Sequence, residues 1–163
     1  MKKIIVVTGG QRSGKSGYAQ KLARSMSCNP VYVATSRVWD DEHRRRIERH
    51  QRDRGPEWET VEEEKFLYRH DFTGRVTVID CVTLWCTNFF FDSDGSVEQS
   101  LENVKESFDK LTLQDAVFIF VTNEIGCGGM PENPLQRKFT DLQGWVNQYI
   151  ASKADRVVWM VSG

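Results

Sequence analysis

The feature that most constrains the fold is a glycine-rich turn near the start of the chain, residues 9–16, with the sequence GGQRSGKS. It follows the β-branched run Ile4 to Thr8 and precedes a helical pattern, Gly17 to Met26. The spacing G-x-x-x-x-G-K-S between a strand and a helix is typical of a loop whose backbone N–H groups surround phosphate oxygens. A chance glycine turn is the alternative, but it would rarely reproduce the whole pattern in this context. We therefore predict a nucleoside triphosphate site.

Each part of this phosphate-binding loop has a physical role. The glycines allow backbone N–H groups to point inward, and the positive end of the following helix attracts phosphate. Lys15 is expected to reach the terminal phosphates, as a catalytic residue, and the Ser16 hydroxyl is expected to ligate Mg²⁺. The candidate nucleotide-binding residues of the loop are Gly9, Gly10, Gln11, Arg12, Ser13, Gly14, Lys15 and Ser16.

Short β-branched or aromatic runs predict five strands. They are Ile4 to Thr8, Val31 to Thr35, Val76 to Asp80, Val117 to Thr122 and Val157 to Val161. Each run is nearly continuously apolar, as in strands that are covered on both faces of a parallel sheet. The pattern therefore favours a parallel sheet.

Helical patterns lie between several of these strands. They are Gly17 to Met26, Val97 to Leu111 and Phe139 to Ile150. In the last two, apolar residues recur at spacings of three and four, so one stripe of each helix is expected to face the sheet. The alternation predicts an α/β fold of the RecA-like P-loop NTPase type, a mostly parallel sheet flanked by helices. A length of 163 residues favours one domain over residues 1–163.

One segment departs from this pattern. Residues 40–54, DDEHRRRIERHQRDR, contain a single apolar residue, Ile47, although their propensities are helical and Asp40 is a suitable N-cap. A helix that is polar all round is not held by an apolar stripe. Two interpretations stay open. The helix covers a site or packs against another subunit, or it is a charged surface exposed to solvent.

Composition bears on the cellular setting. The formal net charge is -1, so no overall basic field draws the chain to nucleic acid. No run approaches the roughly 18 apolar residues of a membrane span, and the opening MKKIIVVTGG does not resemble a signal peptide. The four cysteines, Cys28, Cys81, Cys86 and Cys127, form no CxxC pair. We therefore expect a cytoplasmic protein with reduced thiols, no membrane span and no nucleic-acid partner.

A second element of the nucleotide site is a carboxylate that organises magnesium. The run VTVID is an apolar strand that ends in Asp80, as a Walker B strand does, so Asp80 is the candidate. Glu124, which follows the strand VFIFVTN, is the alternative. Acids are common at strand ends in α/β folds because loops begin there, so the pattern alone leaves both open.

A candidate nucleophile lies in the polar segment. The chain has three histidines, His43, His50 and His70, none in a spacing that suggests a closed zinc site. On a helix, Arg46 and Arg54 would lie one turn before and one turn after His50. Nearby cations disfavour the protonated imidazole and hold phosphate oxygens, a combination that suits phosphoryl or nucleotidyl transfer through histidine. The alternative is a surface histidine in a basic run.

Taken together, these motifs resemble the bifunctional adenosylcobinamide kinase / adenosylcobinamide-phosphate guanylyltransferase family of cobalamin biosynthesis. The stretches that carry the resemblance, in order, are TGGQRSGKS (8–16), YVATS (32–36), DDE with RIERH (40–50), WETVE (58–62), DCVTLW (80–85), TNEIGCG (122–128) and LQRKFTDLQGWVNQ (135–148). Each is weak alone, apart from the phosphate-binding loop, but their order and spacing are specific.

The resemblance implies two reactions. Family members transfer a phosphoryl group from ATP or GTP to the aminopropanol hydroxyl of adenosylcobinamide. They then form a guanylylated histidine from GTP and pass GMP to the new phosphate, which gives adenosylcobinamide-GDP and pyrophosphate. The family's histidine corresponds to His50, and homotrimers are the rule in the family. The resemblance also implies a guanine nucleotide site lined by Ala34, Thr35, Ser36, Gln51, Arg52, Asp53, Arg54, Glu62 and Asp80, with Ser16 and Asp80 toward Mg²⁺.

Two other functions are consistent with a phosphate-binding loop, because kinases, switches and motor ATPases share it. One is a monofunctional kinase of a small molecule, in which His50 only binds phosphate. The other is a nucleotide-dependent switch or a subunit of a ring ATPase, although no switch segment or DNA-binding loop is evident. The sequence leaves open the kinase donor and the side chains that hold the corrinoid.

Overall fold

The computed structural model describes residues 1–38, 40–41, 44–45, 47–48, 52 and 54–163. Its strands are β1 (Lys3–Gly9), β2 (Val31–Ala34), β3 (Glu59–Glu62), β4 (Val76–Asp80), β5 (Val117–Asn123) and β6 (Arg156–Met160). Its labelled helices are α1 (Lys15–Met26), α2 (Val82–Asp92), α3 (Val97–Leu111) and α4 (Pro134–Lys153), with a 3₁₀ turn at Leu67–Arg69. The described residues between 41 and 52 are also helical.

The strands form one sheet in the order β3-β2-β4-β5-β1-β6, and every neighbouring pair is parallel. All carboxyl ends therefore lie at one edge, and the loops that follow them meet there. Because non-consecutive strands are neighbours, helices cross over the sheet between them, which covers both faces. The predicted α/β class with a parallel sheet is confirmed. The sheet takes its strands from residue 3 to residue 160, and the single domain over residues 1–163 stays a prediction.

The two faces of the sheet are covered differently. On one face, α1 packs Ala19 and Ala23 against β-branched residues of the central strands. On the other face, α2, α3 and α4 enclose a larger core that is rich in aromatic side chains. In this core the rings of Phe108 and Phe120 lie 5.2 Å apart, and both side chains are fully buried. We call these the α1 face and the three-helix face.

Capping residues explain where two of the helices begin. The Ser96 side chain accepts a hydrogen bond from the N–H of Gln99 and caps α3. Asn133 accepts from the N–H groups of Leu135 and Gln136, and Pro134 occupies the first turn of α4. The helix predicted from Phe139 to Ile150 therefore begins five residues earlier, because capping rather than the apolar stripe sets its start.

Two elements escaped the sequence analysis. Strand β3, ETVE, carries a charge at both ends and is not an apolar run. Helix α2, VTLWCTNFFFD, consists mainly of β-branched and aromatic residues and is apolar on nearly all sides, so it shows no helical period. Its Phe89 and Phe90 are buried and Phe91 is 52% exposed, so most of this aromatic run belongs to the core.

The described part of the polar segment is helical. Asp41, Arg44, Arg45, Ile47, Glu48 and Arg52 have helical backbone, and the N–H of Arg44 donates to the carbonyl of Asp40 at 3.1 Å. Their side chains are exposed, except that of Ile47, which is half-buried. The exposure of these side chains is consistent with a polar helix that packs little against the core.

Among the residues that the structure describes, no helix combines the length and the apolar character needed to cross a bilayer.

Candidate active site

The phosphate-binding loop lies between β1 and α1, at the carboxyl edge of the sheet. Gly14 is the N-cap of α1 and has a φ of 91°, a left-handed conformation that glycine adopts without a steric penalty. Gly9 is restricted by space instead, because a Cβ there would collide with the backbone carbonyl of Met160 and lie 2.8 Å from Ser13 Oγ. These two glycines are therefore required by local geometry, independently of any ligand.

Lys15 lies within the loop rather than in solvent. Its ammonium donates to the carbonyl of Gly10 at 2.5 Å and to Ser13 Oγ at 3.3 Å, and the residue is only 7% exposed. Burial lowers the pKa of Lys15 below its ordinary value, while the nearby carboxylate of Asp80 acts in the opposite direction. A poorly solvated cation at a helix N-terminus is suited to polyphosphate, whose oxygens replace the missing water.

Strand register aligns three of the predicted residues. Glu62 is paired with Ala34, and Ala34 is paired with Asp80, so the three form a row across β3, β2 and β4 at their carboxyl ends. Alternate residues of a strand point to the same side, and Tyr32, two residues before Ala34, packs on the α1 face. The row therefore lies on the α1 face, and the charge of Asp80 acts on both Lys15 and Tyr32.

Arg54 joins this region from the end of the polar segment. Its guanidinium carbon lies 3.7 Å from the centre of the Tyr32 ring, and the side chain is buried. The ring of Trp58 meets Tyr32 edge to face at 6.1 Å. Burial, with the negative charge of Asp80, raises the pKa of Tyr32 well above its ordinary value, although the charge of Arg54 lowers it. Tyr32 thus links a cation and a carboxylate that both belong to the predicted site.

Thr35 and Ser36 follow β2 and differ in environment. The Thr35 hydroxyl is fully buried, donates to the carbonyl of Cys81 at 2.7 Å and accepts from the N–H of Cys81 at 2.9 Å. Its side chain therefore holds the backbone directly after Asp80, whereas Ser36 is half-buried. A direct nucleotide contact in this segment is easier to reconcile with Ser36 than with the Thr35 hydroxyl.

Glu124, the alternative to Asp80, is engaged within its own loop. Its N–H donates to the carbonyl of Gly9 at 2.9 Å, and its carboxylate accepts from the N–H groups of Gly126 and Cys127 at 2.8 and 3.0 Å. Burial raises the pKa of Glu124, but the hydrogen bonds from Cys127 and Gly126 together lower it by more. The pKa of Glu124 therefore lies below its ordinary value. These contacts give Glu124 a local structural role, while Asp80 is the carboxylate that acts on Lys15.

Several predicted residues are not part of this geometry. His50, Gln51 and Asp53 lie outside the described residues, as do His43 and Arg46. Arg52 is exposed, and its Nε donates to the carbonyl of Glu48 at 3.4 Å along the helix. Their assignment to the site remains a prediction.

Two structural neighbours of the site were not predicted from the sequence. The sequence pattern indicates for Tyr32 only a position in a strand, because its contact with Arg54 joins chain segments that are separated in sequence. Residues 160–163 run beside the phosphate-binding loop, where the N–H of Gly163 donates to the carbonyl of Ser13 at 2.9 Å. No local pattern signals either contact.

Within the described part of the chain, no group of three or more His, Cys, Asp or Glu residues lies together as a possible metal site. Any cation bound beside Lys15 would therefore depend on a few protein oxygens together with phosphate oxygens. Ser16, in the first turn of α1, and Asp80, at the end of β4, supply a hydroxyl and a carboxylate of the kind that Mg²⁺ accepts.

Comparison with solved structures agrees with this fold. The crystal structure of flagellar accessory protein FlaH from Methanocaldococcus jannaschii matches with a TM-score of 0.51 over 96% of this chain and 70% of the other, at 14% identity. At this identity the likeness concerns the fold alone.

Sequence comparison identifies much nearer relatives. The bifunctional adenosylcobalamin biosynthesis protein CobU of Escherichia coli (strain K12) is 37% identical, over 98% of this chain and 96% of the relative. The bifunctional adenosylcobalamin biosynthesis protein CobP of Pseudomonas aeruginosa is 36% identical, over 97% of this chain and 92% of the relative. CobU of Salmonella typhimurium is 35% identical over 98% and 96%.

The family model for cobinamide kinase / cobinamide phosphate guanyltransferase matches residues 5–163. This match covers the phosphate-binding loop, the row of Glu62, Ala34 and Asp80, and the whole sheet except the first two residues of β1. It confirms the predicted family and the predicted class of enzyme. The chain therefore belongs to the cobinamide kinase / cobinamide phosphate guanyltransferase family of adenosylcobalamin biosynthesis.

Proposed function

We propose that this chain phosphorylates adenosylcobinamide with ATP or GTP and then transfers GMP from GTP to that phosphate through a covalent intermediate on His50. The observation that carries the proposal is the buried Lys15 beside Asp80, in a phosphate-binding loop of a chain whose family is named for both activities. One nucleotide site would serve both reactions.

The kinase step depends mainly on position and charge. Lys15 and the loop N–H groups would hold the transferred phosphoryl group and neutralise the charge that develops on its oxygens. Ser16 and Asp80 would hold Mg²⁺, which supplies further positive charge to the phosphates when it is bound. The acceptor hydroxyl attacks the γ-phosphorus, the bond to the leaving nucleoside diphosphate breaks, and the hydroxyl proton is released.

The guanylyl step divides one displacement into two. A ring nitrogen of His50 attacks the α-phosphorus of GTP, a phosphorus–nitrogen bond forms, and the bond to pyrophosphate breaks. A phosphate oxygen of adenosylcobinamide phosphate then attacks the same phosphorus, and the phosphorus–nitrogen bond breaks to release the histidine. The family resemblance and the basic residues around position 50 in the sequence support this assignment.

The decisive experiment is incubation with GTP labelled at the α-phosphate, followed by denaturation of the protein. We expect an acid-labile, alkali-stable label on the wild-type chain and none on His50→Ala. His70→Ala is the matched control, because His70 lies 3.3 Å from Glu63 in a loop after β3 and should leave labelling intact. Absence of label on the intact wild-type chain contradicts the proposed intermediate.

The same assay separates the second candidate function. A monofunctional kinase transfers the γ-phosphoryl group of GTP or ATP and never becomes labelled from the α-phosphate. Parallel incubation with γ-labelled nucleotide and adenosylcobinamide therefore distinguishes the two enzymes. Nucleotide turnover that requires an added macromolecule would instead favour a switch or a ring ATPase.

Assembly and location are further parts of the proposal. We infer a homotrimer from the family resemblance, and exposed apolar side chains such as Trp145 and Trp159, 47% and 68% exposed, supply surface for it. Light scattering of the purified chain measures the mass directly. The four cysteines are free thiols, which is consistent with the proposed cytoplasmic location.

A further inference from the structure

Helix α2 contacts the candidate site from the opposite side of the sheet. Trp85, Asn88 and Asp92 are spaced by three and four residues, so they lie on one stripe of α2, in line with Cys81 just before it. Each member of the stripe bonds to a loop that follows β2 or β3. The stripe therefore reinforces two loops that also contact each other directly, through the N–H of Glu63 on the carbonyl of Ala34 at 3.1 Å and Arg37 Nε on the Glu64 carboxylate at 2.7 Å.

Asn88 is the buried centre of this connection. The residue is 2% exposed, and its side-chain nitrogen donates to the carbonyl of Thr35 at 2.7 Å and to the carbonyl of Glu64 at 3.0 Å. Both carbonyls lie just past the ends of their strands, where the sheet ladder no longer supplies partners. One buried side chain thus bridges the backbones of the two loops.

The stripe is reinforced above and below Asn88. Trp85 Nε1 donates to the carbonyl of Lys65 at 2.8 Å. Asp92 accepts two bonds from the Arg37 guanidinium, both at 2.9 Å, and one from the Lys65 ammonium at 2.6 Å. Bidentate charge-assisted bonds of this kind fix direction as well as distance.

We propose that Asn88 is a positioning residue for nucleotide binding, acting through the backbone of the loops after β2 and β3. The inference rests on the proposed function, in which residues 34–36 and Glu62 line the nucleotide site. Ala34 and Glu62 are directly paired in the sheet, and the two carbonyls that Asn88 binds lie one and two residues beyond them. Release of either loop would therefore shift Ala34 and Glu62, which we assign to the nucleotide site.

The experiment compares two substitutions, each of which removes a side-chain amide and its two hydrogen bonds to backbone groups. Asn88→Ala removes both bonds described above. Gln114→Ala is the matched control at the amino end of the sheet, where Gln114 accepts from the N–H of Phe72 at 2.7 Å and donates to the carbonyl of His70 at 2.9 Å. The dissociation constant of a non-hydrolysable GTP analogue, KM for GTP, kcat and Tm are measured for both.

We expect Asn88→Ala to raise the dissociation constant and KM about tenfold, which corresponds to about 1.4 kcal/mol, with a smaller change in kcat. Gln114→Ala should lower Tm but change both constants less than twofold. If both variants shift KM equally, Asn88 is only structural and the inference is wrong. If Asn88→Ala does not fold, Asp92→Asn is the deciding variant. We expect it to raise the dissociation constant and KM about threefold, and unchanged constants would contradict the inference.

This outcome is separate from that of the proposed function. A wild-type chain that binds the analogue but never accepts an α-phosphate label contradicts the intermediate on His50 and leaves the role of Asn88 intact. A wild-type chain that labels normally, with an Asn88→Ala variant of unchanged KM, contradicts only the role of Asn88.

Discussion

The two faces of the sheet differ in what they bury. The three-helix face buries mainly aromatic and aliphatic side chains, among them Phe108, Phe118 and Phe120, and its buried polar side chains, such as Asn88 and Gln143, carry no charge. The α1 face has a smaller apolar core and also buries charge, namely the ammonium of Lys15 and the guanidinium of Arg54 over Tyr32. Burial of charge costs free energy that apolar packing does not, so the large core stabilises a fold in which the other face can hold a reactive site.

This contrast predicts that stability and nucleotide binding can be altered separately. Substitutions on the three-helix face should change the free energy of unfolding, and those in the row on the α1 face should change catalysis. Helix α2 is the exception, because Asn88 reaches from the three-helix face to loops of the site.

The largest expected effect is on the three-helix face. Phe120→Ala removes a fully buried ring that contacts Phe108 and Phe118, and the free energy of unfolding should fall by about 3–5 kcal/mol. Urea denaturation measures the loss, and nucleotide affinity of the folded fraction should not change. A large fall in affinity without loss of stability would refute the division between the faces.

Lys15→Met tests the other side of the comparison. Removal of the ammonium should lower kcat/KM for phosphoryl transfer by about 10²–10³-fold, since its charge acts on the transferred group. Because Lys15 is buried and its pKa is lowered by desolvation, stability should not fall. Lys21→Met, an exposed position on the same helix, is the control and should retain full activity.

The reverse pattern would overturn this assignment. If Lys15→Met retained activity but unfolded more easily, the lysine would serve mainly to hold the carbonyl of Gly10 and the hydroxyl of Ser13. Steady-state kinetics and thermal denaturation of the same preparations distinguish the two outcomes.

The smallest expected effect is on the free energy of unfolding and concerns Glu63, in the loop after β3. Burial raises the pKa of Glu63, but hydrogen bonds from the N–H groups of Lys65 and Phe66 and from His70 hold it below its ordinary value of 4.5. The folded state thus favours the carboxylate, so the stabilisation is present above about pH 4.5 and disappears as the pH falls through the folded pKa.

Glu63→Gln should therefore reduce the free energy of unfolding by about 1 kcal/mol at pH 7, and by progressively less below pH 4.5. Urea denaturation of both proteins between about pH 3 and pH 7 measures the difference. A difference that stays constant across this range would mean that the carboxylate charge does not contribute.

Much of the framework follows from local sequence patterns. The loop of residues 9–16 depends on glycine spacing between a strand and a helix, and the parallel sheet depends on short apolar runs alternating with helices. Such features are encoded within some tens of residues, so they can be predicted without tertiary contacts. The ordered motifs of the whole chain were sufficient to predict its family, which the comparisons confirm.

What only the tertiary structure decided concerns residues that are far apart in sequence. Strand register sets Glu62 beside Ala34 and Asp80, folding stacks Arg54 on Tyr32, and Asn88 reaches the carbonyls of Thr35 and Glu64. Strand β3 and helix α2 have no clear period because their partners, not their own patterns, stabilise them. Burial and hydrogen bonding between distant segments depend on the assembled sheet, and no local pattern contains that information.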